Sequence, residues 1–260
     1  MTIQITAELV KELRDRTGVS VMQCKNALEE AEGDMDKALI ILKNKSSSIA
    51  LKKEERNAKD GLVLVKEGQG KALLFTLRTE TDFVAKNEDF INLANKLADM
   101  AMSEGVENMK TKSPEMISEI VQKVGEKIEL GKIEEIKGDV IGIYSHNIKN
   151  AVVVSLSGGS KELAKDIAMH IAAMKPVYTK KEDITEEDKQ RVIEVYEKEV
   201  ASLDKPEEIK KKMLDGKINS YFSEITLMNQ AYIKNPDITI EKLLENNGAK
   251  ITSYVAEAII

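Results

Sequence analysis

Tryptophan is absent from this 260-residue chain, cysteine occurs once, histidine twice, and proline and phenylalanine four times each. The lone Cys24 has no partner for an internal disulfide, and no CxxC, HExxH or clustered His/Cys spacing offers a structural or catalytic metal site. A reducing, cytosolic setting is the expectation. No apolar run approaches the roughly 18 to 20 residues needed to cross a bilayer, and the opening MTIQITAELVKEL mixes charge with apolar residues where a secretory signal needs an apolar core. Membrane insertion and secretion are disfavoured. Acidic side chains number 45 against 39 basic ones, a formal charge of -6, and aromatics make up 4% of the chain. Affinity for nucleic acid rests on neutralising phosphates and stacking bases, so direct nucleic-acid binding is not expected.

What remains is a well-patterned globular sequence. The first segment reads as three short helices. Leu9, Val10 and Leu13 form the stripe of the first, which runs from Thr6 to Thr17-Gly18. Ser20 with Gln23 makes a capping box for the second, carrying Val21, Cys24, Ala27, Leu28 and Ala31. Asp34 caps the third, with Met35, Ala38, Leu39 and Leu42 inward. These helices place a first domain at residues 1–45, followed by a linker at 46–60 that is serine-rich, then charged, and helical at most in its second half.

From Gly61 the period changes to that of strands. LVLVKEGQGKALLFTLR reads as a hairpin turning at Gly68-Gln69-Gly70, and a helix follows with Asn87 as its N-cap and Phe90, Leu93, Ala94, Leu97, Ala98 and Ala101 as its stripe. SPEMISEIVQKVGEKIEL predicts another helix, beginning after Ser113-Pro114 and closed by Gly131. The hairpin-then-helix order recurs in DVIGIYSHNIKNAVVVSLSG and ELAKDIAMHIAAM, where Ala72-Leu-Leu-Phe-Thr-Leu matches Ala151-Val-Val-Val-Ser-Leu. Two related α+β subdomains follow, one at 61–137 and one at 138–180 with 221–260. TEEDKQRVIEVYEKEVASL and PEEIKKKMLDGKINSYFSEI predict an antiparallel helical hairpin at 181–220, joined near Lys205-Pro206. A short helix, a glycine turn and a strand close the chain. The first copy holds five extra residues between strand and helix, around RTETDFVAKNEDF; an insertion at that point reads as a functional loop.

Catalytic equipment is hard to find. No GxxxxGK[ST] loop is present, and neither His146 nor His170 pairs by spacing with a nucleophile. Ser157-Gly158-Gly159-Ser160 reads as a phosphate nest or as a polar turn ending in a helix cap. No cofactor, no metal and no enzymatic activity are expected. From the residues alone, Asp82 reads as a helix N-cap and Phe83 as a core anchor.

Three segments nevertheless resemble the elongation factor Ts family, the guanine-nucleotide exchange factors of elongation factor Tu: LVKELRDRTGVSVMQCKNALEEAEGDMDKAL, TETDFVAKNEDF and HIAAMKPVYTKKEDI. The resemblance spans about 250 residues in order. It implies an α+β fold with an N-terminal three-helix, ubiquitin-associated-like bundle, a core of two related subdomains and a protruding coiled-coil hairpin. It implies a partner, elongation factor Tu in its GDP-bound and nucleotide-free forms, and a role, dislodging Mg²⁺ so that GDP leaves and GTP enters. The family's Thr-Asp-Phe-Val element maps onto Thr81, Asp82, Phe83 and Val84, with Phe83 as the wedge. Further partner contacts are implied for Arg14, Met22, Lys25 and His170, although Met22 also reads as core and His170 as a satisfied helix residue. Family members usually continue past the last strand into a glycine- and glutamate-containing stretch and a terminal helix, whereas this sequence ends at TSYVAEAII, so contacts of that module are not expected and a lower affinity is. The fold is compatible with a homodimer or a heterotetramer with the partner. The alternative is an interaction module or dimer scaffold that tethers a partner without exchanging its nucleotide.

Overall fold

The computed structural model describes residues 5–68, 70–203 and 205–259; Gln69 of the expected turn, the opening Met1–Gln4, Asp204 and Ile260 lie outside the described residues. Helices and strands are mixed as expected of an α+β chain, and two compact units divide it. One takes in the chain up to Glu135 with Ser145–Ala151 and the segment from Glu257; the other comprises Ile136–Tyr144 and Val152–Ala256.

In the first unit, α1 (Ala7–Thr17) starts where the Thr6 hydroxyl accepts the Leu9 amide at 3.3 Å and stops at Gly18, whose φ of 69° suits a residue without Cβ. Ser20 and Asp34 cap α2 (Val21–Glu30) and α3 (Met35–Leu51) by accepting the Gln23 and Lys37 amides. Leu13, Cys24, Ala27, Leu28 and Ala38 close a small core among the three helices. The third helix outruns the boundary expected at residue 45. Ser46 is buried, and its hydroxyl donates back to the Lys43 carbonyl at 2.7 Å while meeting the Ser118 hydroxyl at 3.3 Å, so the serines that suggest a linker are a close helix contact instead. It is the second half of the segment, after Leu51, that leaves the helix.

Strands β1 (Asp60–Gly68) and β2 (Lys71–Thr79) pair antiparallel, with Leu62 opposite Leu77 and Leu64 opposite Phe75. A one-turn helix, α4 (Asp82–Ala85), leads to α5 (Glu88–Glu104), which Asn87 caps from its side-chain oxygen. α6 (Val106–Val124) and β3 (Ile128–Lys137) follow, and β3 joins the sheet in the order β1-β2-β3. Here the expectation is corrected. The helix begins well before Ser113-Pro114, and Pro114 lies inside it; it ends at Gly125 (φ 78°), and Gly131 sits in the strand. Proline has no N–H for the Lys110 carbonyl four residues back, but the Ser113 hydroxyl donates to that oxygen at 3.0 Å, which lets the helix pass through.

The second unit repeats the plan. β4 (Val140–His146) and β5 (Asn150–Ser157) form a hairpin, and α7 (Lys161–Met174) follows from a Ser160 cap. α8 (Glu186–Ala201) and α9 (Glu207–Ile225) then pack antiparallel, with Tyr196 edge-on to Tyr221 and Lys217 paired to Glu199 at 2.8 Å. A small ribbon of β6 (Ala231–Tyr232) and β7 (Asn235–Thr239), the helix α10 (Ile240–Asn246) and β8 (Lys250–Ala258) complete it. β8 takes the place beside β5 that β3 takes beside β2. Each matched strand residue, Ala72 to Leu77 and Ala151 to Leu156, is buried.

Candidate partner-binding site

The extra residues of the first copy make a hydrogen-bonded turn with one exposed ring. After β2 the chain is extended at Thr81 (φ -130°, ψ 157°), whose hydroxyl accepts the Val84 amide at 3.4 Å and so starts α4. A single helical turn points its residues in different directions. Val84 and Ala85 go into the core with Leu93, Ala94 and Leu97, which forces Phe83 outward, where it is 82% exposed. Among the described residues it is the most exposed large hydrophobic side chain. Asp82 stands at the positive end of the turn and pairs with Lys86 at 2.7 Å; this bond to Lys86 holds its carboxyl below the usual range.

The turn is tied down from one side by the loop before β3. Glu126 Oε2 accepts the Thr81 amide at 3.0 Å and the Thr79 hydroxyl at 2.9 Å, and Oε1 accepts the Thr81 hydroxyl at 2.7 Å. Glu80 returns the contact by accepting the Lys127 amide at 2.6 Å, with the Arg56 guanidinium at 3.3 Å on the same oxygen. The Lys127 amide, aided by Arg56, holds the Glu80 carboxyl below its ordinary value. Neither glutamate is identified by the sequence reading. The signal available is an acidic residue one position after a strand, as Glu80 is to β2, or two positions before one, as Glu126 is to β3, which is too common to single out.

The remaining candidates fall in two places. Arg14 and Lys25 line one groove of about 320 Å³ on the N-terminal helices, together with Val10 and Val21. Met22 is 66% exposed beside them in sequence, so it belongs to the surface and not to the core. His170 lies in the second unit and is fully buried. Its Nε2 is 2.9 Å from Gln230 Oε1, and its Nδ1 accepts the Ile233 amide at 3.3 Å. Gln230 spends its own amide group on the Glu224 carbonyl at 2.7 Å, which leaves its oxygen to face the ring and makes Nε2 the protonated nitrogen. His170 therefore presents no surface in this conformation; Met174 and Val177, which follow it, are exposed instead. Burial pushes the imidazole pKa down. Among the described residues no group of three or more metal-ligating side chains gathers, and none of the helices is long and apolar enough to cross a membrane.

This arrangement suits binding more than bond chemistry: an exposed apolar ring, an ion pair beside it and a separate basic groove. A family model described as "Elongation factor TS" matches residues 80–259, opening one residue before the capping threonine. The chain is also similar over nearly its whole length to proteins named "Elongation factor Ts". That of Hahella chejuensis is 40% identical over 265 residues, which cover 96% of this chain and 90% of that protein. That of Thioalkalivibrio sulfidiphilus is 40% identical over 267 residues and that of Legionella pneumophila strain Lens 36% over 264, with the same coverage.

Proposed function

This chain belongs to the elongation factor Ts family, and we propose that it serves translation elongation as the nucleotide-exchange factor of elongation factor Tu. In this reading it binds the GDP-bound and nucleotide-free forms, dislodges the partner's Mg²⁺, and so promotes GDP release and GTP entry. It performs no bond chemistry of its own. The observation that carries the reading is Phe83, an exposed phenyl ring on a turn whose neighbours are locked.

The physical argument begins with that ring. Burying a phenyl group contributes roughly 1.5 to 3 kcal/mol, and each 1.4 kcal/mol changes an equilibrium about tenfold. A ring inserted into the partner stabilises whichever partner conformation accommodates it. If that conformation moves the elements that coordinate Mg²⁺, the bound phosphates lose charge compensation and GDP dissociates faster. Asp82 and Thr81 set the direction of the ring, and Val84 anchors it. The groove of Arg14 and Lys25, with Met22 nearby in sequence, supplies a second contact for an apolar, acidic surface of the partner. His170 contributes from within, by holding the Ile233 amide. We read α1–α3 as the family's ubiquitin-associated-like bundle and α8–α9 as its coiled-coil hairpin; the shared three-helix core and the antiparallel Tyr196–Tyr221 contact support both.

Stopped-flow release of labelled GDP from elongation factor Tu tests the proposal. The unaltered protein is expected to accelerate release, and Phe83→Ala to reduce the maximal rate by about tenfold or more, with Asp82→Ala intermediate. Because Phe83 is exposed, its loss is expected to leave unfolding stability within about 0.5 kcal/mol. Capture of elongation factor Tu without faster GDP release defeats the exchange reading and favours a tethering module. Release by Phe83→Ala as fast as by the unaltered protein defeats the wedge alone.

A further inference from the structure

We infer that Glu126 is the positioning residue of the Phe83 turn, with Glu80 as its counterpart in a reciprocal carboxylate clasp. Its kinetic consequence rests on the exchange reading above; its geometry does not. The clasp joins two segments that are distant in sequence. At the exit of β2 lie Thr79, Glu80 and Thr81; at the entry to β3 lie Glu126 and Lys127. Each segment offers one carboxylate to the backbone amide of the other, Glu126 to Thr81 at 3.0 Å and Glu80 to Lys127 at 2.6 Å.

The order of donors matters. The Thr81 hydroxyl has one proton, and Glu126 takes it at 2.7 Å. That leaves only lone pairs on Thr81 Oγ1, one of which accepts the Val84 amide and so begins the helical turn. The Glu126 carboxylate thus dictates which way the capping hydroxyl faces, and the cap dictates where residue 83 points. Thr79, fully buried, also donates its hydroxyl to Glu126 at 2.9 Å. Bonds to a charged acceptor are the stronger kind, and their loss leaves polar groups without partners.

Removing Glu126 does not detach the turn, because Val84 and Ala85 still anchor it in the core. What is lost is the fixed direction of the ring. A purely structural glutamate affects stability and every activity in proportion. A positioning glutamate lowers the step that needs the ring and spares binding made elsewhere.

The experiment uses the full chain in three forms: unaltered, Glu126→Ala and Glu126→Gln. Stopped-flow GDP release from elongation factor Tu gives a maximal rate and a half-saturating concentration, and fluorine NMR of protein labelled with 4-fluorophenylalanine reports each Phe in the free state. Glu126→Ala is expected to lower the maximal rate about tenfold while changing the half-saturating concentration less than about threefold. The fluorine line of Phe83 is expected to shift and broaden, with those of Phe75, Phe90 and Phe222 unmoved. Glutamine still accepts the Thr81 amide, so Glu126→Gln is expected to recover the rate to within about threefold of the unaltered protein. An unchanged Phe83 line in Glu126→Ala overturns the inference. So does a rate that falls in step with thermal stability and is not recovered by glutamine. Should Glu126→Ala fail to fold, a fourth form, Glu126→Asp, decides, because its carboxylate is withdrawn by one methylene from Thr79 and Thr81: a Phe83 line displaced alone supports the clasp, and four unmoved lines refute it. If the unaltered protein does not accelerate GDP release at all, the exchange reading fails while the fluorine lines still judge the clasp.

Discussion

His170 and Phe83 invert what their residue types lead one to expect. The polar ring is enclosed and the apolar ring is out, and both placements are enforced by neighbours. For His170 the consequence is a dependence on pH. Its two bonds admit only the neutral ring, since a proton on Nδ1 would face the Ile233 N–H. Tyr232, its aromatic neighbour, is raised to about 12 by burial and by its bond to Asp166, so it titrates far above the range concerned. Lys234 pairs with the same Asp166 at 2.6 Å. The unfolded chain protonates its histidine near pH 6.5, whereas in the folded chain burial delays uptake to lower pH. Above the unfolded value the full stability is present. As pH falls through that value towards the folded one, the unfolded state binds more protons and stability drops, by at most about 1.4 kcal/mol per pH unit for this one group. Urea unfolding at pH 7.5, 6.0 and 5.0 checks this: His170→Gln, which cannot titrate, is expected to show a shallower loss. Parallel profiles for the two proteins would rule out a contribution from His170.

Among the elements, those whose signal is local were legible, and those set by distant partners were not. Thr6, Ser20, Asp34, Asn87 and Ser160 cap helices, each within three residues of the amide it serves. By contrast β3 escapes a period-two reading because IELGKIEEIK alternates poorly and its burial comes from pairing with β2. The start of α6 is hidden by Pro114, which reads as a first helical residue until Ser113 is seen to replace the missing donor. In the candidate site, Thr81 to Val84 were visible as an insertion, but Glu126 belongs to a segment 45 residues away and carries no signature. Two glycines test the packing in opposite directions. A Cβ on Gly138 would lie 1.9 Å from Ser155 Oγ, which is committed to the Lys137 carbonyl and the Thr252 hydroxyl. Gly138→Ala is therefore expected to cost about 1 to 3 kcal/mol. Gly216, inside α9, has nothing within 4 Å of the same position, so Gly216→Ala is expected to stabilise by up to about 1 kcal/mol. Denaturant midpoints at constant m-value measure both, and a shift of the same sign in the two variants contradicts the packing argument.

For the molecule as a whole, the proposed exchange of nucleotide by binding alone is subject to thermodynamic linkage. Whatever factor it imposes on the affinity of elongation factor Tu for GDP, GDP must impose on the affinity of elongation factor Tu for it. The Phe83 turn can do no more than its differential burial between the two partner conformations permits, which a single phenyl ring limits to roughly 1.5 to 3 kcal/mol, or about one to two orders of magnitude. Larger coupling requires other contacts, and the Arg14–Lys25 groove is one described surface within the same unit. Calorimetric titration of this protein into nucleotide-free and GDP-loaded elongation factor Tu is expected to give tighter binding to the nucleotide-free form. The ratio should equal that of the GDP dissociation constants measured with and without the protein. Phe83→Ala should reduce both ratios by one common factor, because one ring enters both sides of the cycle. If Phe83→Ala slows GDP release and leaves both ratios intact, Phe83 acts on the rate of passage between partner conformations and not on their equilibrium.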